Sequence, residues 1–172
     1  MYLHEIKPYD MENTGTRGAS VSVWFNYCEK HCPFCWNKDT WKRDTSLYQD
    51  NKEVVAKVIE YLSDPVFPIQ TLALLGGDPL SLKNIKDCLY LVKEVKKVKP
   101  TIEIICWTGF TWDQVYRSPL LKPVLSYLDI LIDGRFIVNK KVKGKHYGSS
   151  NQRVISVPET LDCGKIVEIN LD

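Results

Sequence analysis

"ASVSVWFNYCEKHCPFCWNKDTW" occupies residues 19–41. Its first seven residues are rich in β-branched and aromatic side chains, and they predict a strand over 19–25. That strand runs straight into a loop holding Cys28, Cys32 and Cys35, spaced C-x3-C-x2-C. Chemically dense loops of this kind belong at the carboxyl ends of strands in open α/β sheets, where ligands bind.

The same junction repeats along the chain. "TLALL" (71–75) is a short continuous apolar run, as expected of a strand covered on both faces, and it stops at "GGDP" (76–79). "IEIICW" (102–107) leads into "WTGF" (107–110), and "YLDILI" (127–132) leads into "DGRF" (133–136). Between the strands lie helical patterns. Residues 52–62 carry Val55, Val58, Ile59 and Leu62 at helical spacing, with Asp50 and Glu53 as a capping-box-like start. A second helix runs to about residue 99, with Leu82, Ile85, Leu89 and Val92 on one face. A short third helix over 111–116 carries Thr111 and Gln114 as a capping box. "RVISV" (153–157) and "KIVEINL" (165–171) are weak strand candidates.

Strands alternating with helices predict an α/β fold with a mostly parallel, curved sheet and right-handed crossovers. The chain has 172 residues, short of the roughly 250 of a full eight-fold barrel, so a partial, open barrel fits better. One domain is expected over 1–172, with its core at about 18–157 and a tail at 158–172. Hydrophobic residues make up 44% and charged residues 26%, as in an ordinary globular protein. A net charge of +2 argues against nucleic acid or an anionic membrane as main partner. No apolar run is long enough to span a bilayer and no signal-peptide pattern opens the chain, so a cytoplasmic location is expected.

Clustered cysteines in a reducing compartment point to metal or redox chemistry. Structural zinc takes four protein ligands, and the fourth here would have to be His31 or the distant Cys163. An iron–sulfur cubane normally takes four cysteines; three leave one iron open to an external molecule. Cys88 and Cys106 read as small buried hydrophobes. "GGDP" taken alone is turn punctuation, yet its glycines would let a ligand approach the backbone, and Asp78 could accept from a ligand ammonium group.

Cys28, Cys32, Phe34 and Cys35 match the C-x3-C-x-aromatic-C motif, and with "GGDP" the chain resembles the radical S-adenosylmethionine (SAM) superfamily. Asn37, Thr40 and Trp41 after the cluster loop, then "GGDPL", "WTGF", "DGRF" and "GSSNQR" (148–153) in that order, resemble the activating enzymes of anaerobic ribonucleotide reductase. The resemblance implies an oxidoreductase built on a partial radical SAM β/α barrel. Cys28, Cys32 and Cys35 would ligate a [4Fe-4S] cluster with one open iron, beside which SAM binds. Phe34 and Trp36 would flank the adenine of SAM, the backbone around Cys35 would hydrogen-bond to it, and Asn37 would belong to the same cofactor-binding set. Gly76, Gly77 and Asp78 would hold its methionine end, with Trp107 and Thr108 nearby. Asn151 and Arg153 would line the site or docking surface, or simply cap the sheet edge.

The implied reaction is reductive cleavage of SAM and hydrogen abstraction from a glycine Cα. Its implied partners are the large catalytic subunit of the reductase and a flavodoxin-type electron donor. The alternatives are an activase of another glycyl radical enzyme such as pyruvate formate-lyase, a small-molecule radical SAM enzyme, or a zinc-binding adaptor. Two residues depart from the family pattern. Tyr27 stands where glycine is usual, and Tyr147 where arginine is usual.

Overall fold

The computed structural model describes residues 1–171. Six strands form one sheet in the order β1-β2-β3-β4-β5-β6. β1 (Leu3–Gly15) and β2 (Gly18–Phe25) make an antiparallel hairpin. β3 (Thr71–Gly76), β4 (Glu103–Trp107) and β5 (Ile130–Asp133) continue from β2 in parallel. β6 (Arg153–Ser156) closes the far edge antiparallel to β5. Phe25 pairs with Gly76 and Trp107 with Ile132, so the carboxyl ends of β2 to β5 share one edge of the sheet. That edge carries all four motif loops.

Strand alternation splits the apolar residues between two faces. Leu72, Leu74 and Ile104 face α1 (Asn51–Leu62) and α2 (Ile85–Val98), meeting Val54, Val58, Leu91 and Val92. Ala73, Leu75, Ile105, Ile130, Ile132 and Val154 form the opposite face. Among the described residues no helix contributes to that cluster. Trp24, Trp107, Tyr147, Ile169 and Leu171 pack against it instead.

Several sequence expectations need correcting. β1 was not expected, and it lies outside the expected core. It is polar, contains Pro8, and shifts register against β2 at three places, so it lacks a clean period-two pattern. α2 begins at Ile85, and Leu82 sits in the preceding turn, 65% exposed. The buried stripe is Ile85, Cys88, Leu91, Val92 and Val95, with Leu89 only partly buried. The tail holds most of α4 (Val157–Cys163), which has Pro158 in its first turn and is ended by Gly164 at φ 68°. The strand expected over 165–171 is reduced to one bridge, Ile155 with Glu168.

Other features follow the expectations. Asp50 caps α1, accepting from Lys52 N and Glu53 N. Thr111 and Gln114 form the reciprocal capping box of α3 (Trp112–Arg117). Cys88 and Cys106 are fully buried, and burial pushes both thiols well above their ordinary range. Among the described residues no helix is long and apolar enough to cross a membrane.

Candidate metal and cofactor site

The loop after β2 is folded back on itself. Tyr27 N donates to Thr40 O (2.6 Å) and Cys28 N to Trp41 O (3.3 Å). Inside, Cys35 N donates to Cys32 O (3.0 Å). Tyr27, His31 and Phe34 have φ of 95°, 45° and 59°, and no other non-glycine residue among those described has positive φ. Each such conformation costs about 1–3 kcal/mol, and strain of this kind collects at functional sites. The value at Tyr27 also explains why glycine suits that position. The Tyr27 ring compensates in part, with the Lys83 ammonium 4.4 Å from its centroid.

Cys28 and Cys32 are buried, and Cys35 is half-buried. Lys30 N points at Cys28 Sγ and Asn37 N at Cys35 Sγ, both at 3.4 Å. Such N–H groups favour thiolate and tune metal-bound sulfur. Burial nevertheless pushes the Cys28 thiol up to about 12, with the charge of Asp78 adding to it. Near neutral pH that sulfur therefore keeps its proton. No set of three or more His, Cys, Asp or Glu side chains among the described residues is already gathered around a metal position. The His31 ring stacks on Trp41, with centroids 4.9 Å apart, instead of turning in beside Cys32.

The cysteine loop is fastened to the end of β3 at close quarters. Gly77 N donates to Phe25 O (2.7 Å) and Asp78 N to Tyr27 O (3.0 Å). A Cβ on Gly77 would lie 2.3 Å from Tyr27 O, and one on Gly76 would lie 2.7 Å from Phe25 O. Only glycine permits that approach. Asn37 Nδ2 donates to Gly76 O (2.9 Å), completing the junction.

Asp78 was expected to offer its carboxylate to a ligand. In the structure it is 1% exposed and already engaged. It accepts from Leu80 N, Thr108 Oγ1 and Gly109 N, each at 2.9 Å. It thereby ties the ends of β3 and β4 together, and burial pushes its carboxyl up to about 6 against the pull of those donors.

These loops surround a cleft of about 650 Å³. Cys28, Cys32, Cys35, Trp36 and Asn37 line one side, and Gly76, Gly77, Asp78, Trp107 and Thr108 line its floor. Residues 141–148 form the facing wall. That wall is anchored by Trp107 Nε1, which donates to His146 O (2.7 Å). Tyr147 packs on the sheet from the same segment.

Two predicted residues are not among the cleft lining. Phe34 is 70% exposed, its left-handed backbone carrying the ring to the surface near Lys38. Asn151 donates to Arg135 O (2.8 Å), and its neighbour Gln152 lines the cleft instead. Arg153 forms a two-point ion pair with the buried Asp133, which also accepts from Trp112 N at the start of α3. That pair holds the sheet edge. Sequence reasoning missed Lys30, Trp24 and the 141–148 wall; the one available signal was the run of lysines.

The donor set suits a sulfur-ligated iron centre. Three soft thiols converge on one cleft, with backbone N–H groups directed at two of them. Gly76 and Gly77 line the cleft as well, and its volume is in the range of a cofactor pocket. Residues 13–155 match the family described as "4Fe-4S single cluster domain". The chain is 33% identical over 156 residues to the anaerobic ribonucleoside-triphosphate reductase-activating protein of Escherichia coli (strain K12), covering 90% of this chain and 97% of the relative. The protein of that name from Enterobacteria phage T4 is 34% identical over 157 residues, covering 91% and 94%. The one from Vibrio cholerae is 34% identical over 154 residues, covering 88% and 96%.

The chain belongs to this activating-protein family. Near-complete coverage on both sides means that the family match includes the cysteine loop, the glycine strand end and the 141–148 wall together. The family resemblance read from the motifs is thereby upheld.

Proposed function

We propose that the chain is the radical SAM activase of an anaerobic ribonucleoside-triphosphate reductase, installing a glycyl radical on the large catalytic subunit. The observation that carries this reading is the single cleft shared by three cysteines and a glycine strand end, in a chain of this family. Cys28, Cys32 and Cys35 would hold a [4Fe-4S] cluster and leave one iron for the amino and carboxylate groups of SAM. When bound, the cluster and SAM supply one-electron cleavage of a carbon–sulfur bond and hydrogen abstraction from a glycine Cα.

The chain's own residues position and shield. Gly76 and Gly77 seat the cysteine loop against the end of β3, beside which the methionine end of SAM would lie. Asp78 keeps Thr108 and Gly109 in place beside it, through the bonds described above. Trp36 offers an aromatic face to the adenine, and Asn37 locks the cysteine loop to Gly76. The open six-stranded sheet is read here as a partial radical SAM barrel, its parallel strands delivering four loops to one mouth. A flavodoxin-type protein would supply the electron.

Anaerobic reconstitution with iron, sulfide, SAM, reductant and the reductase subunit tests the reading by electron paramagnetic resonance. A glycyl radical signal on the subunit is the expected result. 5′-Deoxyadenosine without that signal overturns the substrate assignment. Zinc without sulfide overturns the cofactor assignment.

A further inference from the structure

The wall of the cleft has a charge pattern that the cofactor chemistry leaves unused. Six of the 23 Lys and Arg residues fall within residues 134–153, and none of the 21 Asp and Glu residues does. The remainder of the chain is therefore net acidic, although the whole carries +2. Lys140, Lys141, Lys143 and Lys145 are all exposed. Three of them, Lys141, Lys143 and Lys145, line the mouth of the cleft, where Glu12 is the exposed carboxylate of the lining.

The lysines sit on an ordered loop. Val142 N donates to Gly148 O (3.1 Å) and Ser150 N to Lys140 O (2.8 Å), and Lys141 bridges Ser149. Gly144 turns the chain at φ 68°. Four like charges in six positions repel one another, a cost that a mixed-sign solvated surface avoids. Placed at a site mouth, on a molecule otherwise acidic, they make a field that attracts an anionic surface to this end and repels it elsewhere.

We infer that residues 140–145 are the docking surface for an acidic segment of the protein whose glycine is activated. The inference rests on the function proposed above, and it adds where that protein binds and by what chemistry. A polypeptide fits better than nucleic acid, because the acidic remainder of the chain would repel an extended polyanion running past the loop.

The test uses the reconstituted holoenzyme and the reductase catalytic subunit, with binding measured anaerobically by calorimetry. K140Q/K143Q and K140E/K143E change two exposed side chains and leave Lys141 on the Trp36 ring, 4.2 Å from its centroid. At about 50 mM salt the Glu variant is expected to bind at least ~10-fold more weakly, with the Gln variant between it and the unaltered chain. At about 500 mM salt the three should converge to within roughly twofold, as screening removes the term. Equal affinity and equal salt dependence for all three overturn the inference while leaving the proposed function intact. A loss confined to a flavodoxin or to a single-stranded oligonucleotide also overturns it. Failure of the unaltered chain to bind the subunit at either salt overturns the inference and the functional reading together.

Discussion

The two faces of the sheet are closed in different ways. On one, α1 and α2 seal Leu72, Leu74 and Ile104 under Val58, Leu91 and Val92, all fully buried. On the other, two tryptophans, Tyr147 and the last residues of the tail lie over a smaller cluster. The first face is a closed apolar core that accounts for stability. The second is patched with large amphipathic rings and a loop, and the cleft opens at its edge. The contrast teaches that rigidity and access are divided between the faces of one sheet.

The sharpest way to separate the faces is to remove one cleft sulfur. Cys35→Ala is expected to abolish cluster incorporation, read by iron and sulfide content and by visible absorbance. Thermal unfolding of the apo chain should change by less than about 0.5 kcal/mol, because Cys35 is not part of the apolar core. A large loss of apo stability would mean that the loop belongs to the core after all. Leu91→Ala strikes the sealed face and is expected to cost about 2–5 kcal/mol in chemical denaturation. In variant molecules that remain folded, cluster content per chain should be unchanged.

Asp78 lies just past the end of β3, where the cleft opens. Its folded-state carboxyl is raised to about 6, above an ordinary value of 3.8. Its stabilising contribution is thus complete below about pH 4 and is lost as pH rises through about 6. Asp78→Asn, which keeps the shape and one acceptor, should flatten the stability–pH curve between those limits. A variant curve parallel to the unaltered one would sink this assignment. The same substitution is expected to weaken SAM binding, because Thr108 and Gly109 lose a shared anchor.

The smallest effect concerns strain at Tyr27. Tyr27→Gly relieves the left-handed backbone but loses the ring's contact with Lys83, so the net change should stay within about 1 kcal/mol. Tyr27→Ala loses the ring and keeps the strain. The Gly variant should therefore be more stable than the Ala variant by about 1 kcal/mol, and equal stability would show that the loop carries no strain there.

How much of this could be read in the chain depended on which local rule each segment obeys. β3, β4 and β5 are continuous apolar runs ending in glycine or polar turns, so they and the cleft edge were legible. β1 was not, because an edge strand needs only hydrogen bonds from β2 and tolerates Lys7, Asp10 and Glu12. The metal-binding candidates were legible as a motif, whereas the direction of each neighbour was not. Phe34 points outward because of one backbone angle, and Asn151 bends to Arg135 O through one hydrogen bond. Neither is encoded in spacing. Asp78 was recognisable as chemically important, but its three donors come from sequence positions 80, 108 and 109, which only the fold assembles.

The dimensions of the cleft set a condition on any macromolecule that uses it. On the proposed function, about 650 Å³ takes a cofactor and the reacting group together. A helix with its side chains is about 10–12 Å across, too stout to enter beside a ligand of that size. A partner must therefore bring its glycine on a thin, protruding bend of chain, able to leave its own fold and return. On that geometry, selection rests on the reach and slenderness of the incoming loop as much as on its chemistry, and a partner that buries its glycine deeply would have to loosen before it could be served.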